Sequence, residues 1–98
     1  MIVMDRENLH AAGWSHVLST TNDISELRAF CQRVGAPLEA LHLQNRRWPH
    51  LDLKLEARTR ALACADVRVF ERTRDMLRFL KHHHRVSAFP DLRIPSLD

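Results

Sequence analysis

The sequence predicts an α/β fold, a three-stranded sheet with about three helices packed on it. Three observations carry this prediction. Short runs with strand patterns occur near the start of the chain and again just before residue 70. Stretches in which apolar residues recur with helical spacing lie between these runs and after the last one. A chain of 98 residues is long enough for one domain with a modest core. A strand, a crossover that contains helices and a further strand form by default a right-handed α/β unit.

Three segments have strand patterns. Residues 1–4 (MIVM) are a continuous apolar run, which is typical of a buried strand that opens a domain. Residues 14–19 (WSHVLS) alternate between their two sides. Residues 67–70 (VRVF) place valines at every second position and predict the third strand.

The first helix has the clearest boundaries in the sequence. Apolar residues recur at steps of three and four over residues 24–34, which predicts an amphipathic helix. Asp23 and Glu26 have the spacing of a capping box at its start. Gly35 suits the left-handed position after a helix, and Pro37 reinforces the stop.

Two more helices are predicted after an undecided segment. Residues 41–48 have no clear period, and residues 48–53 (WPHLDL) predict a short extended segment because the residue before a proline is held extended. A helix follows over about residues 54–65, with Leu55, Leu62 and Ala65 on one side of it. Residues 72–81 predict the third helix.

The predicted domain covers residues 1–81, and residues 82–98 form a C-terminal tail. The tail carries Pro90 and Pro95 and scattered apolar residues, so docking, self-association and flexibility are all open to it. It begins with three consecutive histidines, 82–84. Consecutive residues on a helix splay by about 100°, so a solvated helix end is favoured over a tetrahedral metal site.

Charge is distributed unevenly along the chain. Residues 1–45 carry three basic and five acidic side chains, whereas residues 46–98 carry 12 basic and seven acidic ones. Thirteen of the 15 basic residues are arginine, the better bidentate partner for phosphate. An anionic partner and the codon usage of a GC-rich genome explain this bias equally well.

The composition also bears on location. No apolar run approaches the roughly 20 residues of a membrane span, and the N-terminus lacks the pattern of a signal peptide. We therefore expect a cytoplasmic protein with no membrane partner. Cys31 and Cys64, the only cysteines, are expected to be buried thiols in that compartment.

The candidate site lies where the chain enters the second helix. His50 and Asp52 are two residues apart, so in an extended segment they point to the same side. Arg58 follows on the helix and could reach the same site. An imidazole, a carboxylate and a guanidinium together can bind phosphate, bind a metal ion or connect a loop to a helix. The sequence does not distinguish between these three roles.

Several motifs together resemble a known family. They are MIVMD at residues 1–5, WSHV at 14–17, the helix over 26–35, PHLDL at 49–53, Arg58 and ACADVRV at 63–69. Over about residues 1–70 the chain is similar to domain of unknown function 4031, a family of short bacterial and phage proteins. The resemblance implies a polar site at Asp5, His16, His50, Asp52 and Arg58. The sequence departs from the family pattern at Arg6, Leu51, Ala57 and the pair Ala65 and Asp66, where the family has a second aspartate, an aromatic hydroxyl, a lysine and Gly-Ala.

Three function hypotheses follow. The first is binding of nucleic acid or another phosphate-bearing ligand through the candidate site and nearby arginines, with Arg46, Arg47 and Arg60 on the surface and Trp48 stacking on bases. The second is a non-enzymatic interaction protein, such as a phage anti-defence factor that docks on a host protein or on itself. The third is a phosphoesterase in which Asp5, His16, His50 and Asp52 hold a divalent metal ion. Against the third, strand-end aspartates often cap turns and a histidine near a tryptophan is often structural.

Overall fold

The computed structural model describes residues 1–7, 13–44 and 47–84. It is a small α/β domain in which three α-helices pack on a five-stranded mixed sheet. The elements in chain order are β1 (Ile2–Glu7), β2 (Trp14–Ser19), α1 (Ile24–Arg33), a 3₁₀ turn (Leu38–Ala40), β3 (Leu41–His42), β4 (His50–Lys54), α2 (Leu55–Leu62), β5 (Val67–Arg72) and α3 (Thr73–His84).

The strands lie in the order β3-β4-β2-β1-β5. All neighbouring strands pair antiparallel except β1 and β5, which pair in parallel. This parallel pair brings an early part and a late part of the described chain together. The sequence predicts three strands, and these are β1, β2 and β5. The number was wrong because the extended segment before α2 is itself a strand, β4, and because residues 41–42 pair with it as β3.

The two faces of the sheet are covered by different helices. One face presents Met4, Val17 and Leu51 to a core that includes residues of α1 and α2. The other presents Val3 and Leu18 to α3. Because side chains alternate along a strand, every second residue of β1, β2 and β4 lies on the same side of the sheet as α3, and these include Asp5, His16, His50 and Asp52.

Helix α1 is bounded as its sequence predicts. The Asp23 carboxylate accepts hydrogen bonds from the backbone N–H of Ser25 at 2.9 Å and of Glu26 at 3.2 Å. Gly35 has a φ of 70° and, with Ala36, donates back to carbonyls of the last helical turn, which is a Schellman motif. The Glu26 carboxylate does not complete a capping box, because it forms an ion pair with the N-terminal ammonium group of Met1 at 3.1 Å.

The two cysteines differ in their surroundings, and both are free thiols. Cys31 is buried in the core under α1, and this burial raises the pKa of its thiol. Cys64 is only half-buried, so the predicted burial holds fully for Cys31 alone.

Helix α2 follows β4 without a connecting loop. Leu55, its first residue, has a left-handed backbone with a φ of 52° and turns the chain from the strand into the helix. Its side chain is 76% exposed, whereas Leu62, predicted to lie on the same side of the helix, is half-buried. Ala61 is the fully buried contact of α2 with the sheet.

Helix α3 continues to His84, three residues past its predicted end. The histidines 82–84 therefore belong to the helix, and the ring of His83 stacks on Phe79 with centroids 5.8 Å apart. The rest of the predicted tail, residues 85–98, lies outside the described residues. In the part of the chain that is described, no helix is both long enough and apolar enough to cross a membrane.

Candidate functional site

Asp5 is a fully buried carboxylate that anchors His16. Its Oδ1 accepts a hydrogen bond from the backbone N–H of His16 at 2.6 Å, and its Oδ2 lies 2.8 Å from the ring Nδ1 of the same residue. The hydroxyl of Thr73, at the start of α3, donates a short hydrogen bond to Oδ2. With Nδ1 held by Asp5, the Nε2 atom of His16 is turned away from β1.

Three imidazoles surround the carboxylate of Asp52. His42 Nε2 lies 3.2 Å from Asp52 Oδ2, whereas His50 Nε2 and His16 Nε2 lie 3.6 Å and 3.9 Å from Oδ1. Strand register causes this arrangement, because His16 pairs with Asp52 across β2 and β4, and His42 pairs with His50 across β3 and β4. We call these four residues the histidine–aspartate cluster.

A backbone carbonyl outside the cluster orients the ring of His50. Its Nδ1 lies 2.8 Å from the carbonyl oxygen of Trp48, which leaves Nε2 facing Asp52. The ring centroid of His50 is 5.2 Å from that of His42 and 5.8 Å from that of His16. Two of the three imidazoles are thus oriented through Nδ1 by a partner outside the cluster.

The electrostatics of the cluster favour an ionised Asp52. Burial raises the pKa of Asp52, but the contact with His50 and the charges of His50, His16 and His42 outweigh burial, and the net pKa is lowered. Burial lowers the pKa of His50, but its contacts with Asp52 and the Trp48 carbonyl outweigh burial, and the net pKa is raised. With a second carboxylate at Asp5 behind His16, the cluster is suited to positive charge.

Arg58 is placed on the other side of the sheet. Its Nε donates to the hydroxyl of Ser15 at 2.8 Å, and its Nη2 donates to the backbone carbonyl of Arg6 at 2.6 Å. Ser15 alternates with His16 along β2, so it points to the opposite face. The predicted site residues Asp5, His16, His50 and Asp52 come together, and Arg58 instead ties α2 to β1 and β2.

His42 was missed from the sequence. It lies in the segment 41–48, for which the pattern decides no structure. The alternation of Leu41, His42 and Leu43 was the available signal, since it matches the alternation of His50, Leu51 and Asp52 on the partner strand.

The residues predicted to bind nucleic acid do not share one surface role. Trp48 is only 4% exposed and packs in the core under α3, so the prediction that it stacks on bases was wrong. Arg60 donates to the carbonyl of Val34 and contacts Glu56 at 3.3 Å. Arg47 is exposed, and Arg46 lies outside the described residues.

A cavity of about 340 Å³ adjoins the cluster. It lies where β3 ends, because β3 pairs only with Leu51 and His50 and the remaining residues of β4 have no partner on that side within the described chain. His42 and Asp52 belong both to the cluster and to the wall of this cavity.

The side chains of the cluster are partly exposed and contact one another directly. In the conformation described, for the residues that the structure covers, no three or more His, Cys, Asp or Glu side chains are arranged to hold a metal ion. The two oxygens of Asp52 face different imidazoles, Oδ2 toward His42 and Oδ1 toward His50 and His16.

Comparison with known proteins gives no match to a family model, a curated protein or a solved structure.

Proposed function

We propose that the protein binds a divalent metal ion at the histidine–aspartate cluster. The observation that carries the proposal is the approach of three imidazole Nε2 atoms to the single carboxylate of Asp52. Imidazole nitrogen and carboxylate oxygen are the donors with which proteins bind zinc and related transition metals.

The spacing of the donor atoms supports this proposal. Two ligands that are each about 2.0–2.1 Å from a tetrahedral ion are about 3.4 Å from each other. The three distances between Asp52 oxygens and histidine nitrogens, 3.2, 3.6 and 3.9 Å, lie around that value.

The hydrogen-bond partners of the histidine Nδ1 atoms also support metal binding at the cluster. Histidines that bind metals almost always donate their other ring N–H to a carboxylate or a backbone carbonyl, which fixes the tautomer and the ring orientation. Asp5 occupies this position for His16, and the carbonyl of Trp48 occupies it for His50.

Binding requires a local rearrangement, because the side chains are not arranged around an ion as they stand. We propose that the carboxylate of Asp52 rotates so that the ion replaces its contacts with the imidazoles. The terminal torsion of aspartate has a broad energy profile, so this rotation costs little. The side chains of Asp52 and His42 are 28% and 39% exposed, and solvent can reach both.

The reaction that we propose is hydrolysis of a phosphate ester. A zinc ion with four protein ligands can expand to five ligands, and an octahedral ion would keep two positions, so either ion could take up water or a ligand. A bound divalent ion lowers the pKa of its water and polarises a phosphoryl oxygen. We propose that the chain is related to domain of unknown function 4031, which would support the position of the site but would not indicate an activity.

The other two hypotheses have less support. Nucleic-acid binding loses Trp48 as a stacking side chain, and Arg58 does not lie with the cluster. A role in docking on a host protein or in self-association depends on residues 85–98, which are not described.

Calorimetric titration with zinc, cobalt(II) and manganese(II) tests the proposal, after treatment of the protein with a chelator. We expect one site, and we expect His42→Ala and His50→Ala each to abolish it while circular dichroism remains unchanged. His82→Ala is the matched control, since it removes an exposed imidazole at the end of α3. Absence of binding, or equal binding by all three variants, would overturn the proposal.

A further inference from the structure

We infer that the cavity beside the cluster binds the apolar body of a small molecule whose oxyanion group reaches the cluster. The oxyanion is a carboxylate or a phosphate monoester. This inference rests on the proposed metal site, for which it names the class of ligand.

The walls of the cavity differ in chemistry. One side consists of His42 and Asp52 of the cluster. Much of the remainder consists of small or apolar side chains, from the segment between α1 and β3 and from β4 and α2: Ala36, Pro37, Ala40, Leu53 and Ala57. A molecule that enters would therefore meet polar donors at one end and an apolar surface along its body.

The size fits a small molecule. Sites for small ligands usually have about 300–1,000 Å³, with mostly apolar walls and a few polar groups that fix orientation. At about 340 Å³ this cavity lies at the lower end of that range. A nucleic-acid strand binds instead along an open groove that follows its backbone.

With an ion bound at the cluster, charge selects an anion; without that ion, the carboxylates of Asp52 and Glu39 outnumber the ammonium group of Lys54 in the wall. Lys54 lines the cavity, and its Nζ lies 4.8 Å from the ring centroid of Trp14, which also lines it. This contact holds an ammonium group at the wall, and an ion bound by the cluster would add a second positive centre. Glu39 is the acidic residue of the wall outside the cluster, and it opposes this selection.

The probes are phenyl phosphate and phenylacetate, with inorganic phosphate and acetate as the matching anions without an apolar body. Binding is followed by chemical shifts of the backbone amides of Ala40, Leu53 and Ala57, in protein with and without zinc. Ala57→Leu fills the cavity from the half-buried side of α2, and Ala63→Leu adds the same side chain at an exposed position outside it.

We expect a phenyl probe to bind at least tenfold more tightly than the matching small anion, and the tighter of the two phenyl probes identifies the oxyanion. Ala57→Leu should remove this preference and leave zinc affinity within twofold, whereas Ala63→Leu should change neither. Lys54→Gln should weaken probe binding, and Glu39→Gln should strengthen it.

The outcomes separate this inference from the metal proposal. Zinc binding without any preference for phenyl probes overturns the inference alone. If zinc does not bind, the metal proposal fails, and probe shifts in metal-free protein then decide whether the cavity holds the ligand. Equal effects of Ala57→Leu and Ala63→Leu would overturn the placement of the ligand in the cavity.

Discussion

Asp5 contacts His16 twice, through its backbone and through its ring. One carboxylate oxygen accepts the backbone N–H of His16 at 2.6 Å, and the other lies 2.8 Å from its Nδ1. The strand pairing of β1 with β2 and the orientation of a cluster imidazole thus depend on the same buried side chain.

Asp5→Asn should weaken metal binding by roughly 10–100-fold, as is usual for a group that orients a metal ligand. An amide N–H in place of Oδ2 would donate to Nδ1 of His16, so the ring proton would move to Nε2 and block that nitrogen as a ligand. Calorimetry measures the affinity, and nitrogen chemical shifts of the ring report the tautomer. Asp23→Asn makes the same change at the cap of α1, where asparagine is a good substitute, and should leave affinity unchanged. An unaltered tautomer in Asp5→Asn would contradict the explanation.

Arg58→Ala should lower the free energy of unfolding by roughly 1–3 kcal/mol, because the buried hydroxyl of Ser15 loses its hydrogen-bond donor. Metal affinity should stay the same, since Arg58 lies on the face opposite the cluster. Urea denaturation measures the first effect and calorimetry the second. Arg28→Ala, which removes an exposed arginine of α1, should change stability by less than about 0.5 kcal/mol. A tenfold loss of metal affinity in Arg58→Ala would place Arg58 in the site after all.

The ion pair of Asp66 with Arg33 makes the stability of the domain depend slightly on pH in the acidic range. The carboxylate of Asp66 forms hydrogen bonds of 2.7 and 2.9 Å with the guanidinium of Arg33, and this contact holds the pKa of Asp66 below its ordinary value. A lowered pKa in the folded state gives stability that is present above the unfolded pKa of about 3.9 and is lost as the pH falls through the folded value.

Asp66→Asn should therefore lower Tm at pH 7 and have no effect on Tm well below pH 3. The pair is solvent-exposed, so the difference should be small and should shrink in high salt. Thermal scans from pH 2 to pH 7 measure it, with Asp75→Asn on α3 as the control. A difference in Tm that grows toward low pH would have the wrong sign for this ion pair.

The environment of Trp48 can be tested by fluorescence. The chain has two tryptophans, so Trp14→Phe leaves Trp48 as the only one. Because Trp48 is 4% exposed, its emission should be blue-shifted, and iodide should not quench it until the domain unfolds. Trp48→Phe leaves Trp14, which is half-exposed and should be quenched in the folded state. Strong quenching of Trp48 in the folded protein, or a change in its emission on addition of single-stranded DNA, would contradict its burial. Either result would support stacking of Trp48 on bases.

The sequence predicts those parts of the fold that have a local signal. The apolar period and the caps define α1, the continuous apolar run defines β1, and the alternating runs define β2 and β5. The two-residue β3 and the pairing of β4 were not predicted, because strand pairing depends on residues far away in the chain and residues 50–54 alone do not reveal a partner.

The candidate site was predicted in part for the same reason. His50 and Asp52 share a side because of their spacing, and Asp5 and His16 came from the resemblance. His42 joins them only through its register with His50. Arg58 was expected nearby because α2 follows β4 directly, but the left-handed backbone of Leu55 redirects the chain, and Arg58 bonds to Ser15 on the other face.

The parallel pairing of β1 with β5 is expected to be a late step in folding, because the two strands are far apart in the sequence. Ile2 pairs with Val67, and Asp5 accepts a hydrogen bond from the hydroxyl of Thr73, so β1 completes its contacts only with β5 and α3, which are far from it in the sequence. Contacts of such long sequence separation form late, because the closure of the intervening loop costs entropy before they contribute. Until residue 73 has emerged, one edge of β1 lacks β5 and the Asp5 carboxylate lacks the hydroxyl of Thr73, and such an unpaired edge can pair with another chain.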